Sequence, residues 1–264
     1  ASDVYKRQGR GCVSGSAGVT SGVHRRCCLV PKEVIVSRKL IDLVPGGHVE
    51  FLLASAREDW DAAVNHRFVN ELFKGSLDDG VLASYLVQDY QFFDAFLSML
   101  GGCVAYADRV DSKLTFAAQL GMLADDEDGY FQKAFDELGV SEADQLDPQL
   151  TEVTKAFRAM MYDAANSQSY PDLLVMLAVA EWLYLDWGER GSTDTEPAPL
   201  PERYVHAGWV ELHRGREFQK WCQFLVNELE RVFPEGDESF ADALTLRFQK
   251  AVALERGFFD VAYV

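Results

Sequence analysis

From Glu50 to the C-terminus, apolar residues recur at spacings of three and four, the period of a helix with one buried face. The clearest stretch runs from Val81 to Tyr106, where Leu82, Tyr85, Leu86, Phe93, Phe96, Leu97, Leu100 and Val104 form a single stripe. The same period predicts helices over 50–64 and on towards Gly75, over 111–122, over 125–138 and over 170–187. A further helix is expected over 149–163, with Asp147 as its cap and Pro148 in its first turn. Residues 191–201, GSTDTEPAPLP, carry three prolines and no period, so they read as a loop within one bundle. Helices over 202–207, 209–232 and 239–262 complete the chain, the last two setting Phe218, Trp221, Leu225, Leu229 and then Phe240, Leu244, Phe248, Val252 and Phe259 inward. No stretch alternates convincingly as a strand. The fold class is therefore all-α, a single-domain helical bundle over residues 49–264.

Ahead of it, residues 1–30 are basic, rich in glycine and serine, and without period. They read as a fragment of a targeting peptide or as a cloning or translation artefact. Residues 31–48 read as a poorly ordered lead-in in which Val34 to Val36 could pack on the body, so 1–48 is taken as a disordered or non-native segment.

Composition narrows the partners. The 264 residues are 48% hydrophobic, and 25 Lys and Arg stand against 42 Asp and Glu, a formal net charge of −17. That charge repels nucleic-acid phosphates and anionic lipid surfaces, so neither nucleic acid nor membrane is an expected partner. No apolar run approaches the ~20 residues that span a bilayer. The reading is a cytoplasmic protein, with organellar targeting by the N-terminal segment as the alternative. Of five cysteines, only Cys103 and Cys222 lie in the patterned body. Two are too few for a disulfide scaffold, and they read as buried apolar residues.

Against this background three acids stand out, because each sits on the apolar face of its own helix among aromatic residues: Asp89, Glu181 and Glu255. An isolated charge in a core is costly, so such residues are partnered, protonated or lining a polar pocket. Three together favour a shared pocket with apolar walls for a flat ring, and carboxylates in unlike surroundings can divide acid and base work. A di-metal centre is the rival, but such bundles use Glu-x-x-His pairs and this chain has none. No metal and no cofactor are expected. Phosphate loops, Cys-x-x-Cys pairs and the Gly-x-Ser-x-Gly elbow are also missing from the sequence. His66 reads as a structural hydrogen-bonder, His213 as a candidate for the pocket, and Asp125 to Asp128 as a solvated helix start.

The pieces His66-Arg67-Phe68 with Gly75-Ser76-Leu77, Tyr85-Leu86-Val87-Gln88-Asp89-Tyr90, Glu181-Trp182-Leu183-Tyr184 with Gly188-Glu189, and Glu255-Arg256-Gly257-Phe258-Phe259-Asp260 occur in this order. In that order the chain resembles the TenA or thiaminase II family, whose helical bundle is similar to haem oxygenase, over roughly residues 50 to 263. The resemblance implies that Asp89 holds a pyrimidine, that Glu255 is an acid–base residue, that Tyr184 lines the pocket, and that Phe92 and Phe258 stack on the ring. It also marks a departure: where the better-known branch has a nucleophilic cysteine, this chain has Ala180, followed by Glu181. His213 likewise stands where that branch has a tyrosine. The pattern is similar to a second branch that lacks the cysteine and carries a glutamate.

What the resemblance implies is a cofactor-free hydrolase of C–N bonds in thiamin breakdown products, aminomethyl-pyrimidine and its N-formyl derivative, acting in a homo-oligomer. Glu255 and Glu181 would share the acid and base roles, with water attacking directly. The alternatives are a non-catalytic pyrimidine-binding or regulatory protein of the same fold and, less favoured, a di-metal oxygenase.

Overall fold

A computed structural model describes residues 39–123, 127–193 and 195–264, the side chains of Glu127 and Asp128 excepted. The expectations for residues 1–38, including Val34 to Val36, and for Asp125 and Asp126 lie outside the described residues. Among the described residues the chain forms α-helices and no strand: α1 (His48–Ser55), α2 (Arg57–Val64), α3 (Arg67–Phe73), α4 (Asp79–Tyr90), α5 (Phe93–Tyr106), α6 (Val110–Leu123), α7 (Glu127–Leu138), α8 (Glu142–Leu146), α9 (Glu152–Asn166), α10 (Tyr170–Gly188), α11 (Tyr204–Leu212), α12 (Arg216–Val232) and α13 (Glu238–Val261).

Helix α10 is the axis. Ser169 caps it, accepting from the Asp172 amide, and Pro171 occupies the first turn, where its missing N–H costs nothing. Its residues from Leu173 to Val179 are buried without interruption, which no one-sided helix permits. Helices α12, α13, α5, α2 and α9 pack around it. Glu181 and Tyr184, one turn apart near its C-terminal end, are thus fixed in the centre of the bundle.

Several predicted helices are broken where the chain must turn. The long 81–106 stripe divides into α4 and α5 at Gln91 and Phe92, whose amides reach back only three residues, to the Gln88 and Asp89 carbonyls. The tightened turn redirects the chain at the point where Asp89 and Phe92 meet the cavity. The 50–64 helix breaks at Ala56, and the 209–232 helix breaks ahead of Gly215, whose φ of +91° suits only glycine. Helix α9 starts later than expected: Thr151, not Asp147, is its cap, accepting from the Thr154 amide at 3.1 Å. Asp147 instead closes the short α8, which the period did not reveal.

The lead-in is also more structured at its end than its composition indicates. Ile41 is buried, and Gln223 on α12 accepts from the Asp42 amide at 2.7 Å and donates to the Asp42 carbonyl at 2.9 Å. Glu230 then takes the His48 and Val49 amides at 2.9 and 2.8 Å, capping α1 from a distant part of the chain.

Candidate active site

Three helices bring the inward acids to one cavity of about 590 Å³, walled by Asp89 from α4, Glu181 from α10 and Glu255 from α13. Burial differs among them. Asp89 is half-buried and Glu181 buried, and Glu255 is only 2% exposed. Burial pushes the Glu255 carboxyl well above the ordinary carboxylate range, and the neighbouring Asp89 charge pushes the same way, with a hydrogen bond to the Tyr184 hydroxyl opposing them. The shift favours the protonated carboxyl, the form that can give a proton to something in the cavity.

Aromatic rings hold this arrangement. The Tyr184 hydroxyl lies 2.7 Å from that of Tyr85 on α4, both side chains buried. His213 follows α11 with its ring 4.8 Å from Tyr184 and 4.5 Å from Trp209. Its Nδ1 is 2.8 Å from the Trp209 carbonyl. A carbonyl only accepts, so Nδ1 carries the hydrogen and Nε2 is the acceptor. Burial lowers the His213 pKa to about 4, so the imidazole is neutral.

Phe92 and Tyr184 line the cavity, as does His213. Phe258 does not. It stands behind the wall, its ring 5.1 Å from Phe92 and 4.9 Å from Tyr85, and is 1% exposed, so it braces Phe92 instead of meeting a ligand. Residues three apart share a helix face, so spacing alone does not separate Phe258 from Glu255; the Tyr85 and Phe92 rings packed against Phe258 do. His66, as expected, is structural, accepting from the Phe68 amide at 3.1 Å and lying 3.1 Å from Asp260.

Ala180 lies on the cavity wall beside Glu181. Neither Cys103 nor Cys222 does; both are buried elsewhere, and burial raises both thiols away from thiolate formation. Phe131, Phe157, Trp209 and Trp221 also line the cavity and were not anticipated. Their sequence signal, an aromatic residue in an apolar stripe, is the same as that of any core residue. Among the described residues no group of three or more His, Cys, Asp and Glu side chains is arranged to hold a metal ion, and no described helix is long and apolar enough to cross a membrane.

The model of the TENA/THI-4/PQQC family matches residues 53–264. The chain belongs to this family. A curated member named aminopyrimidine aminohydrolase, from Halalkalibacterium halodurans, is 23% identical over 216 residues, covering 80% of this chain and 93% of the relative. Among solved structures, a TenA homologue from Pyrococcus furiosus superimposes with a TM-score of 0.70 at 21% identity, over 82% of this chain and all of its own. A domain from Shewanella denitrificans described as having a haem-oxygenase-like fold gives 0.57 at 14% identity, over 81% of this chain and 91% of that one. The TENA/THI-4/PQQC bundle of this chain is thus haem-oxygenase-like in architecture.

Proposed function

We propose that the protein hydrolyses C–N bonds of a small aminopyrimidine, converting an aminomethyl-pyrimidine to its hydroxymethyl counterpart with release of ammonia. The observation that carries this reading is the convergence of Asp89, Glu181 and Glu255 on one aromatic cavity, with the Glu255 carboxyl pushed up by burial while Asp89 stays closer to solvent. The relative from Halalkalibacterium halodurans bears the name of this activity.

Asp89 accepts hydrogen bonds from the amino and ring-nitrogen edge and fixes the ring between Phe92 and Tyr184. His213, a neutral acceptor at Nε2, completes the polar part of the wall. Glu181 takes a proton from a water molecule whose oxygen attacks the methylene carbon. The C–N bond breaks as Glu255 gives its proton to the departing nitrogen, and the two carboxyls reset by returning one proton through solvent. No nucleophilic side chain stands at Ala180, so water attacks directly, without a covalent enzyme adduct.

The test is a product assay with aminomethyl-pyrimidine, its N-formyl derivative and thiamin side by side. Ammonia and hydroxymethyl-pyrimidine are expected from the first. Tight binding without turnover would instead identify a pyrimidine-binding protein.

A further inference from the structure

The cavity is larger than its proposed occupant requires. At about 590 Å³ it falls in the range of roughly 300–1,000 Å³ typical of sites for drug-sized ligands, not of one flat ring with small substituents. The additional room has a structural origin. Helices α6 and α12 run antiparallel and are pinned at one end, where Ser112 donates to Glu228 at 2.7 Å and Phe116 packs 5.6 Å from Trp221 and 5.3 Å from Phe224. Arg231 secures the same end, pairing with both Glu228 and Asp108 at 2.7 Å. Beyond Phe116 the cavity lies between the two helices, with Gln119 and Met122 on one side and Glu217 and Phe218 on the other.

This outer half is walled chiefly by Phe93, Phe96, Met122, Phe218, Trp221 and Phe224. At the rim Glu217 pairs with Lys220 at 2.7 Å, Arg214 donates to the Ala198 carbonyl at 2.8 Å, and Glu211 adds a carboxylate. The aromatic walls therefore reward burial of apolar surface.

We infer that the outer half is a subsite for a neutral, apolar acyl group carried on the exocyclic nitrogen of the substrate, extending the substrate class to N-acyl aminomethyl-pyrimidines bulkier than the formyl derivative. The inference rests on the pyrimidine reading above. The chemistry is continuous with it, because the amide C–N bond and the methylene C–N bond share one nitrogen. Glu181 takes a proton from water as its oxygen adds to the acyl carbon, the amide C–N bond breaks, the nitrogen takes the Glu255 proton, and the two carboxyls reset through solvent. A carboxylic acid leaves, and aminomethyl-pyrimidine remains in place for the second hydrolysis.

Calorimetric titration of the full chain with aminomethyl-pyrimidine and its N-formyl, N-acetyl and N-benzoyl derivatives tests this directly, alongside a pyridinium-linked cation of similar size. The benzoyl derivative is expected to bind at least about tenfold more tightly than the formyl one, the factor that burying a phenyl-sized group supplies, and to release benzoic acid. Filling the outer half by Ala118→Trp, at an exposed position on the cavity wall, is expected to bring that ratio to about one. Met122→Trp gives a second, independent plug should the first fail to fold. Binding and hydrolysis of the unsubstituted amine with no gain from benzoyl overturns the inference alone. So does a ratio unmoved by either plug, or a pyridinium compound that outbinds the benzoyl one. Absence of binding by every pyrimidine overturns the functional reading and the inference together.

Discussion

The hydroxyls of Tyr85 on α4 and Tyr184 on α10 lie 2.7 Å apart at the edge of the cavity, so one donates to the other. Removing either hydroxyl by Tyr→Phe keeps the ring packing but breaks this hydrogen bond, at a cost of about 0.5–1.5 kcal/mol. Tyr85→Phe and Tyr184→Phe are each expected to lower the urea midpoint. The double variant should lose less than the sum of the two, with about 1 kcal/mol of coupling. Strictly additive losses would show that the pair is not an energetic unit.

Glu255 predicts opposite shifts in two pH profiles. As a general acid it must be protonated, so activity falls as pH rises through its raised pKa and the alkaline limb of kcat/KM reports it. Asp89→Asn removes a charge that raises that pKa, and should move the limb to lower pH; Tyr184→Phe removes the hydroxyl that lowers it, and should move the limb higher. Both variants shifting in one direction would count against Glu255 as the titrating acid.

The same residue trades stability for function. Its folded pKa is raised above the ordinary value of 4.5, so its favourable contribution is complete below that pH and is lost as pH rises through the folded value. Glu255→Gln cannot ionise. It should reduce turnover by about two orders of magnitude and flatten the decline of the urea midpoint with rising pH. A midpoint whose pH dependence matches the wild type would indicate that Glu255 does not carry this linkage.

These acids were legible in the sequence because a carboxylate on a strongly apolar face is rare enough to stand out, and α10 around Glu181 was legible for the same reason. Phe258 was misplaced because a three-residue offset on a helix is compatible with either the cavity wall or the layer behind it, and only the neighbouring helices decide. The division of the 81–106 and 209–232 helices left faint signals. Gly215 marks one break, while the turn at Gln91 and Phe92 lies inside an unbroken apolar stripe. The α1 cap is illegible by construction, since its carboxylate is 181 residues from the amide it accepts.

That remote cap is itself testable. Glu230→Ala removes a charged acceptor from the His48 and Val49 amides, and is expected to cost about 0.5–2 kcal/mol, as for other N-caps. Hydrogen exchange should accelerate first in α1. Unchanged protection there would mean that solvent or another group caps the helix equally well.

Thiol chemistry separates the cavity wall from the core. Cys103 and Cys222 are buried with raised thiol pKa, so the native fold should protect both from alkylation until it opens. Ala180→Cys puts a thiol on the cavity wall. It should be labelled first, and saturating aminomethyl-pyrimidine should slow its labelling by about tenfold or more. Equal labelling with and without ligand would place the pyrimidine elsewhere.

Gly188 and Glu189 together fix the position of His213. A Cβ on Gly188 would lie 2.1 Å from the His213 carbonyl oxygen and 2.8 Å from its carbon, backbone atoms that cannot rotate away. Immediately after it, Glu189 accepts from the Gly215 amide at 2.7 Å and closes the other side of the same turn. The absent side chain thus lets the α11–α12 turn approach α10 closely enough to set the His213 ring 4.8 Å from Tyr184. Gly188→Ala should force the turn outward, costing about 1–3 kcal/mol as overpacking does, and should raise KM by displacing His213 from the wall. Gly257→Ala is the control: its Cβ would meet only the Val153 methyls, at an ordinary 3.7 Å, and alanine in a helix interior is favoured over glycine by about 1 kcal/mol. If Gly188→Ala is tolerated as well as Gly257→Ala, close backbone approach is not what holds His213 in place.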